Sequence, residues 1–167
     1  MGDRSSLIDV DALYRTHRLA MLRLALLLVD DIGSAEDVVQ SAFVGLSRNQ
    51  VRVRGPESAV GYLRRAVVNG SRSALRRRRT ARLHLRAAEP EAGEPLDACV
   101  VRSEEHGQDL ALVRQLPPRQ REVLVLRYRS GLSEGEIAAA LGISTGTVKS
   151  QASRALSHLH EAMGTLF

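Results

Sequence analysis

Hydrophobic residues recur at helical spacing through most of this chain, returning every three or four positions. Three such stripes occupy the first half, over residues 8–29, 35–48 and 57–79. Their members are Val10, Leu13, Tyr14, His17, Met21, Leu24, Ala25 and Leu28, then Val38, Val39, Ala42, Phe43 and Leu46, then Val60, Leu63, Val67 and Leu75. Because period-two strand patterns are missing and hairpin signals are few, the sequence predicts an all-α fold.

The boundaries of these three helices carry signals of their own. Residues 30–33 interrupt the first stripe, and Ser34 with Asp37 has the three-residue spacing of a capping box that would open the second helix. Asn49–Gly55 is a predicted loop that contains two arginines. Pro56 suits the first position of the third helix, where a missing N–H costs nothing.

The second half ends in a predicted helix-turn-helix. Upstream, helical periodicity returns from residue 103, and a helix is predicted over 119–129. A capping box at Ser133 and Glu136 then opens the first helix of the motif. Gly142 can take the positive φ of a sharp turn.

The second helix of the motif, which Ser144 or Thr145 can cap, is predicted to have two different faces. Its buried stripe comprises Val148, Ala152, Ala155, Leu156 and Leu159, and its opposite face carries Lys149, Ser150, Ser153 and Arg154. That opposite face is small, polar and basic, as a helix entering the DNA major groove needs to be. An ordinary helical hairpin whose polar face meets only water would have the same pattern, so both interpretations stay open on these residues alone.

Charge is distributed unevenly along the 167 residues, whose formal net charge is +5. Residues 1–86 carry 16 arginines and 8 acidic residues, whereas residues 87–167 carry 8 basic and 11 acidic residues. The first half therefore has the electrostatic character of a polyanion-binding domain. The segment 87–98 has four acidic residues, no basic residue and two prolines, which indicates a linker between domains.

Several functional classes are unsupported by the sequence. One cysteine allows no internal disulfide and no cysteine-rich zinc site, so we expect no metal and no cofactor. The sequence contains no run of 18 consecutive apolar residues, so no membrane span is predicted. The polar N-terminus does not resemble a signal peptide, so a cytoplasmic location is expected. No Walker loop, HExxH or nucleophile motif occurs, so we expect no enzymatic activity.

Three stretches, in this order, resemble the group IV, or extracytoplasmic-function, sigma factors of bacterial RNA polymerase. They are AEDVVQSAF (Ala35–Phe43), YLRRAVVNGSRSALRRRR (Tyr62–Arg79) and LPPRQREVLVLRYRSGLSEGEIAAALGISTGTVKSQASRA (Leu116–Ala155). The resemblance covers nearly the whole chain, and the arginine-rich composition is typical of actinobacteria. It implies sigma region 2 at residues 1–86, a flexible acidic linker at 87–102 and sigma region 4 at 103–167.

The resemblance also implies a division of labour among residues, with core RNA polymerase and promoter DNA as partners. Contacts to the β′ coiled coil would come from Asp37, Gln40 and Phe43, and recognition and melting of the −10 element from Arg52, Arg54, Tyr62, Arg65, Asn69, Arg72 and Arg76. The −35 element would be contacted by Thr147, Lys149, Ser150, Ser153, Arg154 and Arg127, with this domain on the β flap. The linker would thread the polymerase cleft, and an anti-sigma factor would hold the domains inactive. Many relatives have Trp where this chain has Tyr62, which offers less stacking area.

Two other functions fit the same motifs. A stand-alone dimeric helix-turn-helix regulator would bind duplex DNA tightly without polymerase and leave a symmetric footprint over two half-sites. A protein-interaction module would retain its activity when the basic residues of the helix-turn-helix are removed. The sigma interpretation instead predicts weak binding alone and strong, asymmetric binding together with core polymerase.

Overall fold

A computed structural model of the chain describes residues 7–29, 31–84 and 107–165, and every regular element in these ranges is an α-helix. The helices are α1 (Val10–Leu28), α2 (Ile32–Arg48), α3 (Gly55–His84), α4 (Gly107–Gln115), α5 (Pro118–Tyr128), α6 (Glu134–Leu141) and α7 (Thr145–Thr165). They form two compact units, α1–α3 and α4–α7. The predicted all-α fold with two helical domains is confirmed, while the predicted linker over 87–102 lies outside the described residues.

The first unit is a three-helix arrangement in which each helix packs against the other two. Its core is aliphatic, and Leu46, Leu63 and Val67 have no exposed surface. Gly70 lets α3 approach α2 closely, since a Cβ at this position would lie 3.0 Å from Cγ1 of Val38. Most members of the predicted apolar stripes therefore share one core, but Tyr14 is 41% exposed. Four other members are only half-buried: Val10, His17, Val60 and Leu75.

The start of α2 differs from the prediction. The helix begins at Ile32, and the carboxylate of Asp31 caps it by accepting a hydrogen bond from the Ser34 amide at 2.8 Å. The predicted capping box of Ser34 and Asp37 is wrong, because Asp31 occupies the N-cap and both of those residues lie inside the helix. The N-cap therefore lies three residues before the predicted one.

Helix α3 is longer than predicted, with 30 residues that continue to His84. Arg78, near its C-terminal end, forms an ion pair with the Asp31 carboxylate at the start of α2. The Thr80 hydroxyl donates to the Arg76 carbonyl at 3.0 Å, so the helix accommodates this β-branched residue without a break. The arginine-rich segment is thus part of one continuous helix, and the ion pair of Arg78 connects it to the start of α2.

The second unit is built around α5 and α7, which pack against each other and against α6. Part of its core consists of Leu116, Leu124 and Ala155, with Val113 and Leu159 packed against them. The Arg121 guanidinium donates to the Leu116 carbonyl at 3.2 Å, which satisfies a backbone acceptor between α4 and α5.

One residue of the predicted buried stripe of α7 is not buried. Val148, Ala152 and Ala155 are buried and Leu159 is half-buried, but the Leu156 side chain is 46% exposed. Leu156 lies one position beyond Ala155 and therefore points about 100° away from the line that faces α5. In the described ranges, no helix is both long enough and apolar enough to cross a bilayer.

Candidate nucleic-acid interface

The helix-turn-helix has the local geometry that its sequence predicts. The Ser133 amide donates to Oε2 of Glu136 at 2.7 Å, and the Glu136 amide donates to the Ser133 hydroxyl at 3.2 Å. Gly142 ends α6 with φ +64°, in the left-handed region. Ser144, and not Thr145, caps α7, because its hydroxyl accepts from the Thr147 amide at 3.1 Å.

The outward face of α7 is free for contact with a partner. Lys149, Ser150, Ser153 and Arg154 are exposed, as predicted. Thr147 differs from them, because it is half-buried and its hydroxyl lies 2.8 Å from the Ser144 hydroxyl. The surface that α7 presents is therefore two cations and two small hydroxyl side chains, which suits a groove with phosphate walls and polar base edges.

Two cations, Lys149 on this face and Arg127 beside it, contact the same carboxylate, that of Glu134. Nη1 of Arg127, in the last turn of α5, lies 3.4 Å from Oε1 of Glu134, and Nζ of Lys149 lies 3.7 Å from Oε2 of the same residue. Both cations were predicted DNA contacts, but Glu134 was not predicted, because residues 127, 134 and 149 are brought together only by the packing of three helices. The spacing of the sequence carries no signal for this cluster.

In the first unit, the loop between α2 and α3 is strongly exposed. Arg52 and Arg54 point into solvent, and Val51 is 86% exposed. The loop is anchored at its start, where the Asn49 side-chain amide donates to the Gly45 carbonyl at 2.8 Å and to the Tyr62 hydroxyl at 3.3 Å. Tyr62 is half-buried against the end of α2, so its hydroxyl supports the loop from behind.

Helix α3 carries a line of polar and basic residues that we call the α3 basic line, Arg65, Asn69, Arg72 and Arg76. These positions are separated by four, three and four residues, so they lie along one side of the helix. Arg72 is half-buried and the other three are exposed. The structure thus gathers four of the residues predicted to act at the −10 element onto one surface.

A groove of about 770 Å³ separates the start of α1 from the arginine loop. Apolar side chains, including Leu13, Val51 and Val53, line part of it, and Asp9 and Arg54 add charge at its walls. No sequence signal points to this groove, because residues 7–16 carry only the pattern of a helix start. A mostly apolar lining with a few polar groups is the usual composition of a small-molecule pocket.

The outward side of α2 holds two of the three residues predicted to bind core polymerase. Asp37 and Gln40 are exposed and lie one turn apart. Phe43 is not at this surface: it is only 5% exposed, and its ring meets Tyr14 edge-on with 5.0 Å between centroids. The prediction of Phe43 as a surface contact is therefore corrected, since its ring belongs to the core between α1 and α2.

The pKa of Asp31 departs clearly from its ordinary value. Burial by itself raises this pKa, because it disfavours the charged form. The amide and hydroxyl of Ser34 and the charge of Arg78 act in the opposite direction and outweigh burial, so the net pKa of Asp31 lies below its usual range. The carboxylate is thus held ionised at the junction of α2 and α3.

In the described ranges, no cluster of three or more His, Cys, Asp or Glu residues has the arrangement of a metal site.

Comparison with known proteins assigns both units to one family. A model described as Sigma-70 region 2 matches residues 13–81, and one described as Sigma-70, region 4 matches residues 110–159. The RNA polymerase sigma-E factor of Streptomyces avermitilis is 37% identical over 161 residues, covering 93% of this chain and 86% of that protein. The ECF RNA polymerase sigma factor SigM of Mycobacterium tuberculosis is 32% identical over 165 residues, covering 99% and 81%. The chain is an extracytoplasmic-function sigma factor of the sigma-70 family.

Two solved structures share the fold. CnrH, in complex with the cytosolic domain of CnrY, gives a TM-score of 0.66 at 25% identity, over 93% of this chain and 88% of that one. The sigma factor RpoE of Bartonella quintana, in complex with the anti-sigma factor NepR, gives a TM-score of 0.70 at 22% identity, over 93% and 97%. Sigma factors are non-enzymatic subunits, and this one directs promoter-specific transcription by RNA polymerase. The alternative of a stand-alone dimeric regulator is not favoured by these relatives.

Proposed function

We propose that the two units divide promoter recognition between them. Residues 1–86 act as sigma region 2, which binds core polymerase and recognises and melts the −10 element, and residues 103–167 act as sigma region 4 at the −35 element. Residues 87–102 connect them. The observation that carries this proposal is that each unit presents its own exposed polar and basic helix face, the α3 basic line in one and the outward face of α7 in the other.

At the −10 element, the arginines and the side-chain amide of Asn69 have different roles. Arg52 and Arg54 in the loop, with the arginines of the α3 basic line, contact phosphates, because the guanidinium fork matches phosphate oxygens. Asn69, in the middle of that line, bonds a base edge through its amide, which both donates and accepts. An unstacked base enters the groove beside Val51. Removing a base from the stack costs a few kcal/mol, and contacts in the groove offset this cost. Tyr62 supports the loop instead of stacking on the base, because it is half-buried against α2.

At the −35 element, α7 enters the major groove with its N-terminal half. Lys149 and Arg154 provide charged donors to guanine or phosphate, while Ser150 and Ser153 can bond either base edges or backbone. Arg127 contacts a phosphate at the rim. Thr147 acts mainly through its position, because its amide and hydroxyl both contact Ser144 at the start of α7.

Core polymerase makes three further contacts in this proposal. Asp37 and Gln40 bind the β′ coiled coil, the second unit lies on the β flap, and the acidic linker passes through the cleft, where its charge matches that of nucleic acid. The polymerase performs the synthesis, so the chain itself has no enzymatic activity. It acts in the cytoplasm, at the nucleoid, where polymerase binds DNA.

Run-off transcription with purified core enzyme on a genomic fragment library tests this proposal. Reconstituted holoenzyme should select fragments with a common upstream pair of elements, and permanganate should detect unpaired thymines near −10. Asn69→Ala should reduce the permanganate signal but leave core binding unchanged, whereas Asp37→Ala with Gln40→Ala should weaken core binding. Arg23→Ala removes an exposed arginine from α1 of the same unit and should change neither property. Tight, symmetric footprints without polymerase would contradict the proposal.

An anti-sigma factor is the proposed regulator. The RpoE structure cited above was solved with such a partner, and the CnrH structure with the cytosolic domain of CnrY. Tagged chain isolated from its native cells before and after promoter activation should carry this partner only before activation. Full promoter activity on overexpression, unchanged by the presence or deletion of any neighbouring membrane or zinc-binding protein, would contradict the proposal.

A further inference from the structure

Two cations that we assign to DNA already share a protein carboxylate. Nη1 of Arg127 and Nζ of Lys149 lie 3.4 Å and 3.7 Å from the two carboxylate oxygens of Glu134. The side chains are 39% exposed for Arg127, 68% for Lys149 and 32% for Glu134, so DNA can reach all three. We propose that Glu134 competes with DNA phosphates for these two cations and so limits affinity for the upstream promoter element.

The fold keeps Glu134 in this position. It is the first residue of α6, directly after the capping residue Ser133. A carboxylate in the first turn of a helix is stabilised by the helix dipole. The two cations approach from α5 and α7, which both pack against α6. Arg127 is further held by its own neighbour, since its guanidinium lies 5.8 Å from the centroid of the Tyr128 ring.

Competition follows from the geometry. A phosphate oxygen that binds Lys149 or Arg127 must share the cation with Glu134 or displace it, and its own charge is repelled by the carboxylate. Exposed ion pairs of this kind change an equilibrium by about 1.5- to 5-fold each. With two such pairs acting independently, loss of the Glu134 charge should tighten promoter binding by about twofold to 25-fold at low salt. When DNA takes the two cations, the freed Glu134 carboxylate takes up a counterion. Removing this carboxylate should therefore make the slope of log K against log[salt] more negative by up to about one.

The inference rests on the proposed contact of Arg127 and Lys149 with DNA, and the experiment separates the two claims. Holoenzymes are reconstituted from core polymerase and full-length variants, then titrated across a salt series onto a labelled promoter fragment recovered by run-off selection. Glu134→Gln keeps the shape of the side chain and removes its charge. Glu161→Gln removes the same charge from an exposed position in the last part of α7 and is the matched control. Glu134→Gln should bind more tightly with a steeper salt slope, and the control should match the wild type.

A third arm identifies the mechanism. In a chain that also carries Arg127→Ala and Lys149→Ala, the gain from Glu134→Gln should disappear. If Arg127→Ala with Lys149→Ala weakens binding but Glu134→Gln equals Glu161→Gln, the competition is overturned and the DNA contacts stand. Weaker binding by Glu134→Gln would equally overturn it, because the carboxylate would then be orienting the cations. If the Arg127 and Lys149 substitutions leave binding unchanged, their assignment to DNA fails, and this inference fails with it.

Discussion

The Asp31 carboxylate connects two helices of the first unit, and its removal provides a quantitative test of the packing described above. It accepts the Ser34 amide at 2.8 Å as the N-cap of α2 and pairs with Arg78 of α3. Loss of an N-cap acceptor costs about 1 kcal/mol of folding free energy. The side chain of Arg78 is 35% exposed, so water screens the ion pair, which contributes about 0.5 kcal/mol. Asp31→Ala should therefore cost about 1.5 kcal/mol. Asp31→Asn, which keeps the cap, should cost about 0.5 kcal/mol.

The pH dependence gives the sharper test. The folded pKa of Asp31 is lowered, so its charge stabilises the fold above the unfolded pKa of about 3.9, and this stabilisation is lost as the pH falls through the folded value. The free-energy gap between wild type and Asp31→Asn should be constant near neutral pH. It should close below about pH 4, where the carboxylate becomes protonated and resembles the amide.

Urea unfolding followed by circular dichroism measures these differences on the full chain. The two units can unfold separately, so Val148→Ala, in the core of α7, marks the transition of the second unit. Asp31→Asn should shift only the other transition, that of the first unit. A gap between wild type and Asp31→Asn that stays constant down to the acid limit would refute the assigned ion pair.

Three further outcomes follow from the structure. Gly142→Ala, at φ +64°, should destabilise the second unit by about 1–2 kcal/mol in urea unfolding, whereas Gly135→Ala, within α6, should not. Gly70→Ala places a Cβ 3.0 Å from Cγ1 of Val38 and should cost about 1 kcal/mol, a loss that the smaller side chain of Val38→Ala should relieve in a double-variant cycle. Arg154→Ala should weaken holoenzyme binding to a promoter by about 1–3 kcal/mol and leave binding to a fragment with a scrambled −35 element nearly unchanged. Equal losses on both fragments would show that Arg154 contacts only backbone.

Much of the secondary structure could be predicted because its signals are local. The capping box at Ser133, the turn at Gly142 and the apolar stripes of α1 and α2 each involve residues three or four apart on one helix. Such pairs meet whenever the helix forms. The same locality explains the error at the start of α2, because Asp31 and Ser34 both had a side chain suited to an N-cap. The chain uses Asp31, whose carboxylate also pairs with Arg78 of another helix.

The sequence by itself determined the helical fold class, the helix-turn-helix and, through three ordered motifs, membership of the sigma family. It also selected the exposed cations, because charged side chains opposite an apolar stripe point to solvent. The sequence placed Phe43 both in an apolar stripe and at a polymerase contact, and only the tertiary structure decided for the core. It alone showed that Tyr62 supports the loop and that a groove opens beside Val51. It alone placed Glu134 between Arg127 and Lys149. These residues are distant in sequence, so their contacts depend on how the helices pack, which no local pattern specifies.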